Sequence, residues 1–383
     1  MARSRDISKV LSSNTTLATD AEVASTYQTK ALNQFPNRNI IINGDMQIAQ
    51  RGTSVSSVTS GGYLTADRWN EGITTQGTWT ISVENDAPTG SGFRKSLKWL
   101  CTTADASPAA GDNLQFFTTL EGQNLQTIKK GTAAAEQLTL SFWVKSNVTG
   151  TYVAELYDND NTRQTSKQYT ISASGVWEYK TITFAADTTG AFDNDNALSL
   201  YAIFALGAGS NFTSGTLQTS WATATTANRF VGQVNVASAT NNYWQVTGIQ
   251  LEVGATATPF EFKTFAQSLI ECQRYYQKSY AQGTNPGTAL DYAGLVIWSS
   301  ITTGAYGSAI PIYLKTTMRA TPTVTIYNPE TGATGSIRGL SAGTNFAGTA
   351  EYIGQNSFAI YATATQSPAG YLIGAHYVAV IEL

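Results

Sequence analysis

Ile249-Gln250-Leu251-Glu252-Val253-Gly254 runs through Thr258-Pro259-Phe260-Glu261-Phe262 into Ile270-Glu271-Cys272-Gln273-Arg274-Tyr275-Tyr276, and its period changes on the way. Up to Val253 it alternates, with Thr247, Ile249, Leu251 and Val253 on one face, as a strand does. From Phe262 onward, Phe262, Phe265, Leu269, Cys272 and Tyr276 step by three and four, as a helix does. Beyond Tyr280 the chain returns to short β-like runs separated by Gly and Pro. A closing strand, one helix and a fresh β region predict two β modules joined by a spacer. The expected class is all-β: a sandwich over 39–261, a helical neck over 262–280 and a small β domain over 281–383.

The rest of the chain fits that division. Leu138, Leu140, Phe142 and Val144 alternate with Thr139, Ser141, Trp143 and Lys145, and Leu198, Leu200, Ala202, Phe204 and Leu206 make another inward face. Further strands are expected at 79–83, 96–101, 114–119, 151–157, 168–172, 177–184 and 243–253, with Gly, Asn and Asp between them. Many strands with almost no helical periodicity argue for an antiparallel sandwich. The second β region has its own runs at 295–301, 310–315, 323–327, 352–361 and 371–381. Residues 1–38 hold too little apolar surface for a fold of their own, so an extended or helical arm ordered against a partner is expected there.

Two further stretches carry a resemblance. Asn39-Ile40-Ile41-Ile42-Asn43-Gly44-Asp45-Met46-Gln47-Ile48-Ala49-Gln50-Arg51-Gly52 and Ala66-Asp67-Arg68-Trp69, taken with the 249–276 stretch, resemble the appendage proteins of tailed bacteriophages. The resemblance spans 39–280. It implies a jelly-roll domain, like a carbohydrate-binding module, that opens on the first motif as a strand and closes on the last. It also implies a non-enzymatic virion structural protein: a tail fibre-like appendage, attached to another virion protein through residues 1–38 and adhering to a host-surface glycan or protein. A head or collar fibre, a polysaccharide-cleaving tailspike and a free carbohydrate-binding module are the rival readings.

Composition narrows the partners. Only 13% of the 383 residues are charged, against a norm of about 25%. The net charge is −3, and no basic run is long enough to track a nucleic-acid backbone. No segment approaches the ~18 apolar residues of a membrane span, and the basic residues of 1–10 have no apolar run behind them, so no secretory signal is expected. A polar, weakly charged surface suits neutral partners such as sugars. Cys101 and Cys272 fall in an apolar strand and an apolar helix face, which favours two buried thiols over a bridge.

The motifs of common enzyme chemistry are missing: no C-x-x-C, no G-x-G-x-x-G, no P-loop, and a single histidine, His376, expected to be packed. Glycosidase chemistry needs only two carboxylates. Asp158, Asp160, Asp193 and Asp195 stand in two loop-like stretches, 157–161 and 192–196. Their plain reading is turn chemistry; a calcium site is the next, and no other cofactor is implied. Eight Trp and nineteen Tyr suit either a sandwich core or sugar stacking. Trp69, Trp99, Trp143 and Trp177 lie in expected strands, so the ligand candidates are the turn-flanking Tyr157, Tyr306 and Tyr327. Phe262, Phe265, Leu269, Cys272 and Tyr276 have the spacing of a coiled-coil seam, which predicts a parallel homotrimer held at the neck.

Overall fold

The computed structural model describes residues 37–299, 308–341, 343–362 and 371–383. The expected arm over 1–38 and Tyr306 therefore fall outside the described residues, apart from Asn37 and Arg38.

Alternation of apolar and polar residues builds a sandwich of two antiparallel sheets. The inner sheet runs β1 (Ser54–Val58), β3 (Thr78–Glu84), β4 (Ser96–Thr103), β12 (Tyr243–Val253), β6 (Leu138–Ser146) and β9 (Glu178–Phe184). The outer sheet runs β11 (Ala222–Thr223), β8 (Arg163–Ile171), β7 (Gly150–Asp158), β10 (Leu198–Ala208), β5 (Asn113–Glu121) and β2 (Trp69–Thr74). Between them Trp69, Trp79, Trp99 and Trp244 are fully buried, and Phe116 stacks on Trp69 at 4.5 Å and meets Trp244 edge-on at 5.7 Å. Rings of this size close the space between sheets with few side chains. Trp143 is different: it lies half-buried against Tyr179 at 5.3 Å on the opposite face of its sheet. Cys101 and Cys272 are both buried and free.

The second unit is organised around β20 (Leu372–Val380), which pairs with β13 (Tyr276–Lys278), β14 (Val296–Ser299), β16 (Thr323–Tyr327) and β17 (Ser336–Gly339). β18 (Thr344–Glu351), β19 (Ser357–Ala362) and β15 (Ser308–Tyr313) extend that sheet. Its core is Ile337, Phe346, Phe358, Ile360, Ile373 and their neighbours. The single run expected at 352–361 is a turn followed by β19: β18 ends at Glu351, and Tyr352 takes a positive φ of 52° and turns the chain.

Two expectations are revised. The 39–52 stretch is a turn and an extended segment, not a ladder strand. Asn43 and Met46 adopt positive φ, and Gly44 passes so close to β12 that a Cβ would lie 2.0 Å from the Ile249 carbonyl. Side-chain amides do the pairing: Asn39 Oδ1 accepts from Leu251 and Ile41, and Asn43 Nδ2 donates to Ile48 and Asp67 carbonyls.

The neck is also shorter than its periodicity predicts. Two short helices matter below, α1 (Ser210–Thr213) and α2 (Phe265–Gln273). Thr264 caps α2 in a reciprocal capping box with Gln267. Of the predicted seam, only Phe265, Leu269 and Cys272 lie in α2. Phe262 precedes it in a cluster with Phe93 and Phe260, and Tyr276 is already in β13. Cys272 and Tyr276 are buried within the chain. The helix stops because pairing with β20 offers 276–278 a ladder that three more helical residues would forgo.

No spacer separates the two units. Gln50 binds the Asp67 carboxylate through its backbone N–H at 2.9 Å and through its side chain, which also reaches the Tyr276 carbonyl at 3.0 Å. Arg51 and Arg68 both pair with Glu382, and their guanidinium groups lie over the rings of Tyr276 and Tyr275 at 3.9 and 3.5 Å. Burial works against the charge on Arg68, and Glu382 together with Tyr275 and Tyr63 outweighs it. Arg274 makes a two-pronged pair with the buried Glu121, which also accepts from Tyr275. Lys278 donates to the Gln50 carbonyl, its ammonium pushed down to about 8 by burial.

Candidate functional site

Strand alternation places every second residue of the outer sheet on the face turned away from the core. Register puts Phe117 beside Ile203 and Ile203 beside Glu155; one step along, Thr119, Tyr201, Tyr157 and Gln164 align across four strands. Half of this face is covered by the excursion between β10 and β12. Phe212 of α1 stacks on Phe230 at 6.0 Å, and Phe230 packs on Val153, Ile203 and Ala205. The covering is pinned by β11 pairing with β8 and by Gln233 accepting from the Val153 N–H at 2.7 Å.

The uncovered half is a groove of about 470 Å³. Its floor is three rings: Phe117 and Tyr201 meet edge-on at 5.5 Å, and Tyr201 and Tyr157 at 5.9 Å. Gln115, Asn159, Thr162, Gln164, Thr226 and Arg229 supply polar groups around them. Arg229 lies 5.4 Å over Tyr157 and is held by Glu155, which is buried beneath the lining. Burial pushes the Glu155 carboxyl up, and Arg229 opposes the shift. Burial likewise raises the Tyr201 hydroxyl. Rings next to amides and hydroxyls suit a ligand with apolar faces and hydroxyl edges.

Tyr157 is the sequence candidate that the structure places in this groove. Tyr327 instead lies edge-on to Tyr280 at 6.1 Å within the second unit, and burial raises its hydroxyl. Sequence reasoning missed Phe117, Tyr201 and Arg229. Alternation in β5 and β10 marks which residues face outward, but which outward rings are neighbours depends on strand order.

The two acidic stretches do come together, through the Asp193 N–H and Asp160 Oδ2 at 3.0 Å. Asp158, however, is taken by the Lys130 ammonium at 2.5 Å, which also bonds Asp187 and the carbonyls of Thr189 and Gly190. Asp195 accepts from the Ala197 N–H, a turn contact. The Lys130 ammonium therefore ties Asp158 to Asp187 in a structural knot, with a cation already between these two carboxylates. Among the described residues no three His, Cys, Asp or Glu groups converge on a metal-sized site, and no helix is long and apolar enough to cross a membrane. His376 is buried between Ser279 and the Asp291 carbonyl and stacks on Tyr280 at 3.9 Å.

A larger cleft of about 840 Å³ lies between α2, the end of β12 and residues 37–42. Its lining has one ring, Tyr275, and Tyr275 is engaged in the joint between the units, so the cleft lacks the stacking floor of the groove.

No family model matches the chain, and no curated protein matches it. Among solved structures, the enzymatically active domain of bacteriophage CBA120 tailspike protein 4 is 14% identical over 57% of this chain and 22% of its own, with a TM-score of 0.31. The family 11 carbohydrate-binding module of Clostridium thermocellum, solved with a mixed-linked tetrasaccharide, is 9% identical over 54% of this chain and 98% of its own, at 0.28. A family 61 carbohydrate-binding module solved with β-1,4-galactotriose is 9% identical over 57% and 99%, also at 0.28. Scores this low carry no weight on function.

Proposed function

We propose that this chain is a non-catalytic glycan-binding protein that serves for adhesion in a tail fibre-like phage appendage. The observation that carries the binding reading is the three-ring floor of the outer-sheet groove, half-buried beside amides and hydroxyls. Its volume lies within the ~300–1,000 Å³ usual for ligand sites. The groove lining contains no carboxylate, whereas glycoside hydrolysis by the usual route needs two flanking the scissile bond; this favours binding over cleavage. Recognition is thus proposed for the sandwich.

The virion role is supported by the motifs of 39–52, 66–69 and 249–276, which resemble tailed-phage appendage proteins and build the joint between the two units. Homotrimer assembly belongs to the same reading. α2 turns Phe265 and Ile270 outward, 54% and 56% exposed, with Ala266 exposed beside them, and this apolar face suits packing against other copies. Affinity electrophoresis of the full chain in gels carrying bacterial surface polysaccharides tests the binding reading. Retardation by at least one polysaccharide, reduced in Tyr157→Ala, is expected; unaltered mobility throughout, or retardation indifferent to Tyr157→Ala, rejects the groove.

A further inference from the structure

Lys130 stands in the connection between β5 and β6, Asp158 ends β7 and Asp187 follows β9. The Lys130 Nζ lies 2.5 Å from Asp158 Oδ2 and 3.0 Å from Asp187 Oδ2, and donates to the carbonyls of Thr189 and Gly190 at 3.0 and 2.6 Å. The Lys130 side chain is 2% exposed and that of Asp158 0%. The rings of Phe192 and Trp221 each stand 5.1 Å from Nζ. An amine precursor and a carboxyl carbon are thus neighbours in a dry place. The two carboxylates are held differently. Arg163 grips Asp187 in two prongs, at 2.8 and 2.9 Å. Burial pushes the Asp187 carboxyl up, and hydrogen bonds from Arg163 and Lys130 more than reverse the shift, so it stays ionised. The Asp158 Oδ1 accepts from the Asn161 backbone N–H at 3.0 Å and from Asn161 Nδ2 at 3.3 Å. Neutral donors on one oxygen, with the amine beside the other, suit negative charge developing on a carboxyl group under attack.

We propose that Lys130 and Asp158 condense into an intramolecular amide, with Asp187 carrying a proton and Asn161 stabilising the oxyanion. A proton first passes from the ammonium to Asp158 Oδ2, leaving an amine beside a carboxylic acid. Nζ attacks Cγ and forms the C–N bond, while Oδ1 takes the negative charge under the Asn161 donors. Asp187 accepts a second proton from the nitrogen and returns it to the Oδ2 hydroxyl. The C–Oδ2 bond breaks and water leaves. The three ammonium hydrogens end as one on the amide and two on the water, and no oxidant or co-reactant is consumed. Neighbours held in place react as if at about 10⁵ M or more, and exclusion of water protects the product from hydrolysis. Asp187 is not the carbon attacked, because the guanidinium keeps it a carboxylate, which resists a nucleophile. The bond clasps the crossing between the two sheets to the end of β7, in a chain whose two cysteines are free.

The intact mass of the denatured full chain, fresh and after prolonged incubation, tests this. A mass below that of the sequence by one water is expected, and proteolytic digestion should release a branched peptide joining Lys130 to Asp158. Lys130→Arg keeps the cation but offers no amine, so it should retain the full mass of its own sequence. Asp187→Asn should leave most freshly purified molecules at full mass. Circular dichroism checks that each variant is folded. Full sequence mass in the wild type at every time overturns the proposal. Loss of water that persists in Lys130→Arg, or that maps to Asp187 or to an internal succinimide, also overturns it. Complete loss of water in a folded Asp187→Asn overturns the proton-carrying role of Asp187.

Discussion

The joint between the two units and the groove on the outer sheet are built from the same residue types and have opposite properties. At the joint Arg51, Arg68 and Arg274 lie against Tyr276, Tyr275 and the carboxylates of Glu382 and Glu121, with Arg68 and Glu121 fully buried and their charges met. In the groove Arg229 lies against Tyr157 and Glu155, but Phe117, Tyr157 and Tyr201 are only half-buried and keep part of their ring surface free. An arginine–tyrosine cluster whose rings are buried holds modules together; one whose rings stay half-buried has surface left for a ligand. The motif residues fall at the first and not at the second.

The largest expected effect comes from breaking the joint. Arg68→Met removes one of two cations from Glu382 and the donor to the Thr119 carbonyl at 2.7 Å, leaving a buried carboxylate underpaired. We expect a loss of about 3 kcal/mol in denaturant unfolding, the lower end for a broken buried pair. Tyr157→Ala should shift the same curve by about 1 kcal/mol at most. Equal losses would erase the distinction between the two regions.

Next comes pH. Glu71 of β2 is fully buried, accepts from the Leu64 N–H at 3.1 Å and has its carboxyl pushed up to about 8 by that burial. Because the folded value lies above the ordinary 4.5, the native state holds a proton that the unfolded chain releases between those values. Stability present below about pH 4.5 is lost as pH rises towards 8. Unfolding midpoints at pH 5 and pH 8 should differ less in Glu71→Gln than in wild type; an unchanged difference would place the pH sensitivity elsewhere, for instance in the joint.

Smaller still is the effect on the groove itself. Loss of one stacking ring in Tyr157→Ala should weaken glycan binding about two- to tenfold, as aromatic contacts of about 0.5–1.5 kcal/mol imply. Isothermal titration reads this, and an unchanged affinity would move recognition off the outer sheet. The smallest effect on folding is expected on the exposed face of α2. Ile270→Asp should alter stability by about 0.5 kcal/mol or less, yet abolish self-association in sedimentation. A trimer that survives it is held by other surfaces.

The helix illustrates what periodicity can and cannot deliver. Phe265, Leu269 and Cys272 do share a helix, and Thr264 and Gln267 signal its start, but nothing local reveals that 276–278 have a partner strand a hundred residues later. The seam reading extended the helix to Tyr276 because three-and-four spacing continues there while the backbone does not. Tyr157 in the groove shows the same limit. Its turn-flanking position drew attention, but Phe117 and Tyr201, mid-strand, become its neighbours only because β10 lies between β5 and β7.

Alternation over 138–145 and 198–206, and the change of period after Val253, were enough to determine an all-β chain with a helix between its two β regions, because side-chain direction in a strand is a local property of the backbone. The sequence also determined the buried thiols and the weakly charged surface. The tertiary structure alone decided that Glu382 closes the joint on Arg51 and Arg68, that Lys130 occupies the acidic knot, and that three rings from three strands face one groove. Each of these brings together residues far apart in the chain, and pairing across such distances is set by strand order, which no local pattern encodes.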